Sequence, residues 1–159
     1  MIALGIDPGT ALTGYGLVEE RNNEFHHLTS GTIKTDKALS NSKRLLLLHQ
    51  NLEQIIATHS PAIIAVEKLF FFKNLKTALP VSEARGVILL TAEKTQKPLY
   101  EFTPLEVKQT VTGYGQADKN QVQEMIKTLL SLEKKPRPDD VADALGVAIC
   151  AIIKHKSYH

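Results

Sequence analysis

Four carboxylates in this sequence are placed where predicted strands end or where a predicted helix begins. Asp7 and Glu67 each follow a short apolar run, so each is carried at the end of a stiff strand. Asp140 and Asp143 lie three residues apart near the start of the last predicted helix and therefore share one face of it. Carboxylate oxygens without nearby histidine or cysteine select Mg²⁺ or Mn²⁺ rather than zinc. Two such ions held close together suit an in-line displacement at phosphorus.

Each of these acids also has an ordinary structural interpretation. Asp7 precedes a Pro-Gly pair and is typical of a turn, whereas Glu67 is compatible with a salt bridge at a strand end. The helix dipole favours Asp140 and Asp143 in a first turn, and we interpret Asp139, which follows a proline, as the helix cap rather than a ligand. Four acids converging without a lysine or arginine between them would have raised pKa values unless cations neutralise them. We therefore favour a metal site over four independent structural roles.

Apolar periodicity predicts five strands and five helices. The strands are expected at 1–7, 14–19, 25–35, 62–69 and 99–102, and the helices at 41–58, 79–94, 104–112, 118–132 and 139–154. Short connections favour an antiparallel arrangement of the first three strands, while a right-handed crossover would place the fourth strand beside the first and Glu67 near Asp7. The predicted fold is α/β, a mixed five-stranded sheet with helices on both faces. We expect one domain over residues 1–159, and the order of 154–159 stays open.

Basic and aromatic residues alternate directly after Glu67, in the stretch KLFFFKNLK. Its members of interest are Lys68, Phe70, Phe71, Phe72, Lys73 and Lys76. Aromatic rings beside cations are typical of surfaces that bind unpaired or distorted nucleic acid. The alternative is a hydrophobic loop packed on the core or on a partner subunit. Lys108 and Lys119 flank a Gly-Tyr-Gly loop that precedes a helix, a weaker indication of phosphate binding.

Composition narrows the functional classes only modestly. The 159 residues are 43% hydrophobic and 23% charged, as in ordinary globular proteins. A net charge of +2 neither demands nor excludes a nucleic-acid partner. A single cysteine, Cys150, excludes an internal disulfide and favours a reducing, cytoplasmic location. We expect no membrane segment, because no apolar run approaches about 18 residues, and the N-terminal run is too short for a signal peptide.

Taken together, the motifs resemble those of the RuvC family of bacterial Holliday junction resolvases over essentially the whole chain. The matching stretches are GIDPGTALTGYG at 5–16, AVEKLFFFKN at 65–74, EARGV at 83–87, VKQTVTGYGQADKNQV at 107–122 and DDVADALGVAI at 139–149. GIDPGT alone is also similar to the phosphate-binding turn of sugar kinases and actin-like ATPases. The chain is too short for their two-lobed architecture, and Glu67 with DVAD fits the nuclease pattern.

The resemblance implies a ribonuclease-H-like fold, a homodimer and a set of functional residues. It assigns Asp7, Glu67, Asp140 and Asp143 to the metal-binding set, Phe70 to the ring that stacks near the junction's exchange point, and Lys108 and Lys119 to contacts near the scissile phosphate. Phe71 and Phe72 depart from the family pattern and leave open which ring stacks. Whether Lys119 acts chemically or only positions phosphate also stays open.

The activity implied is metal-dependent hydrolysis of four-way DNA junctions in recombination and repair, by paired symmetric nicks that leave 5′-phosphate and 3′-hydroxyl ends. Mg²⁺, replaceable by Mn²⁺, is the expected cofactor, with two ions per subunit. A RuvAB-type branch-migration complex is the implied partner. Two other functions remain to be weighed: a module that binds junctions without cutting them, and a ribonuclease-H-like enzyme that cuts RNA–DNA hybrids.

Overall fold

The computed structural model of the chain describes residues 1–9, 11–68 and 75–158, with side chains from residue 78 onward in the last range. Its ten elements are β1 (Ile2–Asp7), β2 (Leu12–Arg21), β3 (Glu24–Lys34), α1 (Asn41–His59), β4 (Ile63–Glu67), α2 (Leu75–Glu93), β5 (Leu99–Phe102), α3 (Pro104–Thr112), α4 (Lys119–Leu129) and α5 (Asp139–Ser157). The predicted number and order of strands and helices are confirmed.

The five strands form one mixed sheet in the order β3-β2-β1-β4-β5. β1 pairs with β2 antiparallel and with β4 parallel, and β4 pairs with β5 parallel. The crossover through α1 therefore returns the chain beside β1, as its expected right-handed geometry requires. The predicted mixed α/β fold with five strands is confirmed, and β1 is its central strand.

Alternate residues of the central strands face two separate apolar layers. Ala3 of β1 and Ala65 of β4 belong to the layer formed with α3, α4 and α5. Leu4 and Ile64 belong to the layer formed with α1 and α2. Because side chains alternate along a strand, odd-numbered residues of β1 and β4 face α5. Helices therefore cover both faces of the sheet, as predicted.

Several boundaries differ from those predicted. β2 is longer at both ends, since its pairing with β3 continues to Arg21. α2 begins at Leu75 rather than 79 and includes Pro80, which periodicity had placed at a helix start. α4 ends at Leu129 rather than 132. α5 continues to Ser157, so positions 154–157 lie in its last turn.

The end of α5 is attached to the turn between β2 and β3. The ammonium of Lys156 donates to Oε1 of Glu20 at 2.9 Å and to Oδ1 of Asn23 at 2.8 Å. Within the described ranges, no helix combines the length and apolarity that crossing a membrane requires.

Candidate active site

Asp7 and Glu67 lie side by side at the ends of two parallel strands. Ile6 is paired with Val66, so the next residue on each strand is one of these two acids. Both positions are odd-numbered and therefore face α5, on the same side as Ala65. Hydrogen bonding with Glu67 is one of the causes that raise the pKa of Asp7, in keeping with this side-by-side placement. The predicted meeting of Asp7 and Glu67 is confirmed in the structure.

Three glycines, one on β1 and two on the neighbouring β2, allow α5 to lie directly on this part of the sheet. A Cβ atom added at Gly5 would lie 2.0 Å from the carbonyl oxygen of Ala144. A Cβ added at Gly14, which pairs with Asp7, would lie 2.1 Å from the carbonyl oxygen of Asp140. One added at Gly16 would lie 2.6 Å from a methyl carbon of the Leu145 side chain. We call Gly5, Gly14 and Gly16 the glycine seat, because only residues without a Cβ permit this approach.

The glycine seat brings the acids of α5 to the acids of the sheet. Asp140 lies over Gly14, the cross-strand partner of Asp7, and Asp143 follows on the next turn of the same helix face. Both α5 acids act electrostatically on Asp7 and on Glu67. The structure therefore brings together the four carboxylates that the sequence singled out.

Burial and mutual repulsion favour the protonated forms of these acids. Burial is the largest cause that raises the pKa of Asp7, to about 9, and Glu67, Asp143 and Asp140 raise it further. Burial likewise raises the pKa of Glu67 to about 7, although the proton donated by Asp7 opposes this. Burial raises the pKa of Asp143 as well, against the opposing charge of Lys119. Such a cluster takes its ionised form most easily when a cation joins it.

Lys119, the first residue of α4, places its ammonium at the edge of the carboxylate cluster. Its Nζ atom lies 3.6 Å from Oδ2 of Asp143 and 3.1 Å from Oδ2 of Asp139. The sequence argument considered these acids without a lysine or arginine between them, and α4 places Lys119 beside two of the aspartates at the start of α5. Asp118 and Gln121 form a capping box at the start of α4, which begins with Lys119.

The interpretation of Asp139 as a helix cap is also wrong. Pro138 occupies the cap position, and α5 has no side-chain cap hydrogen bond. Asp139 is the first helical residue, and its carboxylate instead accepts hydrogen bonds from Gln123 and Arg137 as well as pairing with Lys119. These partners hold the pKa of Asp139 below its ordinary value, with the Lys119 bond contributing most.

A cleft of about 290 Å³ opens beside the acids, between the end of β4 and helices α3, α4 and α5. It is lined by Glu67, Pro104, Val107, Lys108, Lys119, Val122 and Asp143. Lys108 thus faces the same space as two of the acids, as its predicted phosphate contact requires. A larger groove, about 710 Å³, lies between the β2–β3 turn and the end of α4, and its lining includes a single carboxylate, Glu24. The chemistry of the smaller cleft makes it the candidate active site.

The predicted aromatic and basic stretch is only partly described. Lys68 is exposed directly after Glu67, and its backbone N–H donates to the carbonyl oxygen of Phe102 at 2.7 Å. The predicted contact residues Phe70, Phe71 and Lys73 lie outside the described residues. Lys76 is in the first turn of α2, where the structure describes the backbone alone.

The donor set of the cleft fits a hard divalent cation. Asp7, Glu67, Asp140 and Asp143 supply carboxylate oxygens, which Mg²⁺ and Mn²⁺ prefer. In the described part of the chain, no three acidic, histidine or cysteine side chains are already arranged around one point as ligands.

Sequence reasoning missed three contributors to this site: the glycine seat, Gln123 and Arg137. The glycines carried a usable signal, since three glycines in two adjacent strands and small residues at 144 and 148 permit a close helix–strand approach. Gln123 carried none, because its role depends on α4 lying beside the start of α5. Arg137 lies only two residues before Asp139, so its role as a local partner could have been considered from the sequence.

The chain is similar to known proteins over nearly its whole length. Residues 3–151 match the family model described as Crossover junction endodeoxyribonuclease RuvC. A protein of that name from Caldicellulosiruptor saccharolyticus is 53% identical over 158 residues, covering 99% of this chain and 95% of the relative. One from Thermosipho melanesiensis is 52% identical, covering 97% and 98%. The solved structure of Thermus thermophilus RuvC in complex with a Holliday junction substrate superposes with a TM-score of 0.93 at 30% identity, covering 99% of this chain and 96% of that one.

Proposed function

Because the chain belongs to the RuvC family of crossover junction endodeoxyribonucleases, we propose that it resolves four-way DNA junctions by cutting two strands symmetrically. The observation that carries this proposal is the convergence of four carboxylates beside a cleft with two lysines. A protein that only bound DNA would gain nothing from buried acids facing phosphates. The acids therefore favour the nuclease over the non-cutting recruitment module.

We propose that Asp7, Glu67, Asp140 and Asp143 hold Mg²⁺, or Mn²⁺ in its place, with two ions per subunit. When bound, the ions would activate water and stabilise the leaving oxygen, giving 5′-phosphate and 3′-hydroxyl ends. Asp7 is the central ligand in this proposal, because it is the most buried of the four and lies between the other sheet acid and α5. Because the pKa of Asp7 is raised to about 9, cation binding would favour loss of its proton.

The lysines would contact the DNA. Lys119, at the edge of the acids, would orient the attacked phosphate or the water, and Lys108 would contact a neighbouring phosphate from the other side of the cleft. Lys68, Lys73 and Lys76 would add salt-sensitive backbone contacts, and Phe70 or Phe71 would stack at the exchange point. A junction handled by a RuvAB-type branch-migration complex in the cytoplasm is the expected setting.

A homodimer would let one protein cut both strands, since a twofold protein matches a nearly twofold junction. The face of α2 opposite the core supports this proposal. Leu79 and Leu90 are 67% and 64% exposed, and they share one helix face with Gly86, where an added side chain would meet no described atom within 4 Å. Leu46 of α1 is 53% exposed. Exposed leucines around a glycine suit close packing against a second copy.

One assay tests the proposed function. The protein is incubated with a mobile four-way junction, a linear duplex and an RNA–DNA hybrid, each with Mg²⁺ and with EDTA. We expect paired nicks in the junction with Mg²⁺ and binding without cutting in EDTA. Junction binding that never leads to cutting would establish the recruitment module instead, and preferential cleavage of the hybrid would refute junction specificity.

A further inference from the structure

Asp139 lies at the centre of a hydrogen-bonded cluster beside the acids but is not needed among them as a ligand. Its Oδ2 atom lies 3.1 Å from Nζ of Lys119. Its Oδ1 atom accepts from Nε2 of Gln123 at 2.9 Å and from Nη1 of Arg137 at 3.0 Å. Both oxygens of this carboxylate therefore face donors on α4 and on the segment before α5.

The donors on α4 make this arrangement rigid. Lys119 and Gln123 are four residues apart, so they project from the same face of α4. Gln123 is only 4% exposed, and its amide is one of the few buried polar groups in the described chain. A buried amide hydrogen-bonded to Oδ1 fixes the Asp139 carboxylate, which in turn leaves Oδ2 in one place for the Lys119 ammonium.

The ammonium of Lys119 needs a fixed carboxylate partner to stay in one position. The side chain has four rotatable bonds and is 56% exposed, so packing alone does not hold its ammonium. Its other described partner is Asp143, at 3.6 Å. Without Asp139, the Lys119 side chain would either extend into solvent or pair more closely with Asp143. In the second case its ammonium would neutralise a carboxylate of the cleft.

We propose that Asp139 is a positioning residue that aims Lys119 at the reacting phosphate and keeps it from closing onto Asp143. This inference rests on the proposed function, in which Lys119 acts at the site of cleavage. It assigns a role to the one acid of the DDVAD segment that the ligand set leaves out. Groups that orient a functional side chain in this way are typically worth 10- to 100-fold in activity.

The kinetic test is a double-mutant cycle on single-turnover junction cleavage at saturating Mg²⁺. We expect D139N to lower the cleavage rate 10- to 100-fold with junction affinity changed less than about twofold. In the K119M background, D139N should change the residual rate less than about twofold, because there is no ammonium left to aim. D139E, which keeps a carboxylate, should recover most of the rate.

The matched control is D118N. Asp118 directly precedes Lys119, so the substitution removes the same unit of negative charge beside Lys119 in sequence, yet Asp118 caps α4 and asparagine caps equally well. D118N should cleave at the wild-type rate. If D118N loses as much as D139N, or if the losses of D139N and K119M multiply, the positioning role is refuted.

A second readout does not depend on cleavage. In protein labelled with ¹⁵N-lysine, the hydrogen-bonded ammonium of Lys119, identified by its loss in K119M, should broaden or shift in D139N and persist in D118N. An unchanged Lys119 signal in D139N would overturn the proposal even for an active enzyme. An inactive wild-type protein would refute the proposed function, while the ammonium signal would still decide whether Asp139 holds Lys119.

Discussion

Substituting Gly14 by alanine should damage cleavage far more than folding. The added Cβ atom would lie 2.1 Å from the carbonyl oxygen of Asp140, whereas ordinary van der Waals contact begins at 3.4 Å. The helix and the strand must therefore separate by about 1.3 Å at the point where Asp140 faces Asp7. Misplacement of a catalytic group by about 1 Å can cost about 100-fold in rate. We expect a loss of that order for G14A.

The stability cost should be that of ordinary overpacking, about 1–3 kcal/mol. For a chain of this length, such a loss lowers Tm by about 2–12 °C, so the variant remains folded at 25 °C. Single-turnover cleavage of a four-way junction at saturating Mg²⁺ measures the rate, and thermal unfolding in the same buffer measures stability. Junction binding in EDTA should remain within about threefold of wild type, because the lysines keep their places.

G16A is the matched comparison on the same strand and the same face. There the added Cβ would meet side-chain atoms of Leu145, at 2.6 and 2.8 Å, rather than the backbone of a candidate ligand. We expect a similar loss of stability but less than about a tenfold loss of cleavage. Wild-type cleavage by G14A would refute the reasoning. Equal cleavage losses in G14A and G16A would also refute it, because the effect would then depend on packing in general and not on the position of Asp140.

Three further predictions concern the acids, the lysines and the subunit interface. In EDTA, the free energy of unfolding of the wild type relative to D7N should fall as pH rises from about 5 to 9, by up to about 1.4 kcal/mol per pH unit. The reason is that Asp7 keeps its proton in the folded protein up to a pKa of about 9, whereas the unfolded chain loses that proton above about pH 4. Chemical denaturation at several pH values measures this, and a constant difference would contradict it; D7N should also bind junctions without cutting them. K108M should weaken junction binding in EDTA. If Lys108 contacts one phosphate, the slope of log affinity against log salt concentration should fall in magnitude by about 0.7–0.9. An unchanged slope would show that Lys108 is not in the DNA interface. L90E should convert a dimer to a monomer, as measured by light scattering, and should eliminate paired nicking. A dimer that persists in L90E would place the interface elsewhere.

The sequence was sufficient to predict that Asp7 and Glu67 meet. Both end apolar strands, and the handedness of the crossover through α1 leaves one place for β4. The spacing of Asp140 and Asp143 was sufficient to put them on one helix face. Element ends were less predictable where a local signal competed with tertiary contacts, as at Pro80, which lies inside α2 although proline usually begins a helix.

The surroundings of the acids could not be predicted in the same way. The glycine seat depends on which helix crosses which strand, and strand periodicity does not contain that information. Asp139 follows a proline and has the composition of a cap, yet two of its partners, Gln123 and Lys119, lie 16 and 20 residues upstream on α4. Local rules therefore identified the chemistry of the site, whereas the residues that orient it depended on contacts distant in sequence.

The four acids depend on two different kinds of contact for their positions. Asp7 and Glu67 are fixed by strand pairing, but Asp140 and Asp143 are correctly placed only if α5 lies on the sheet. Residues 141–152 of α5 are buried except at Asp143, and most are small or aliphatic. Their burial stabilises the same docking that the repelling, desolvated acids oppose. Burial of the long apolar face of α5 thus offsets the free-energy cost of holding acids with raised pKa values at the N-terminal end of the helix.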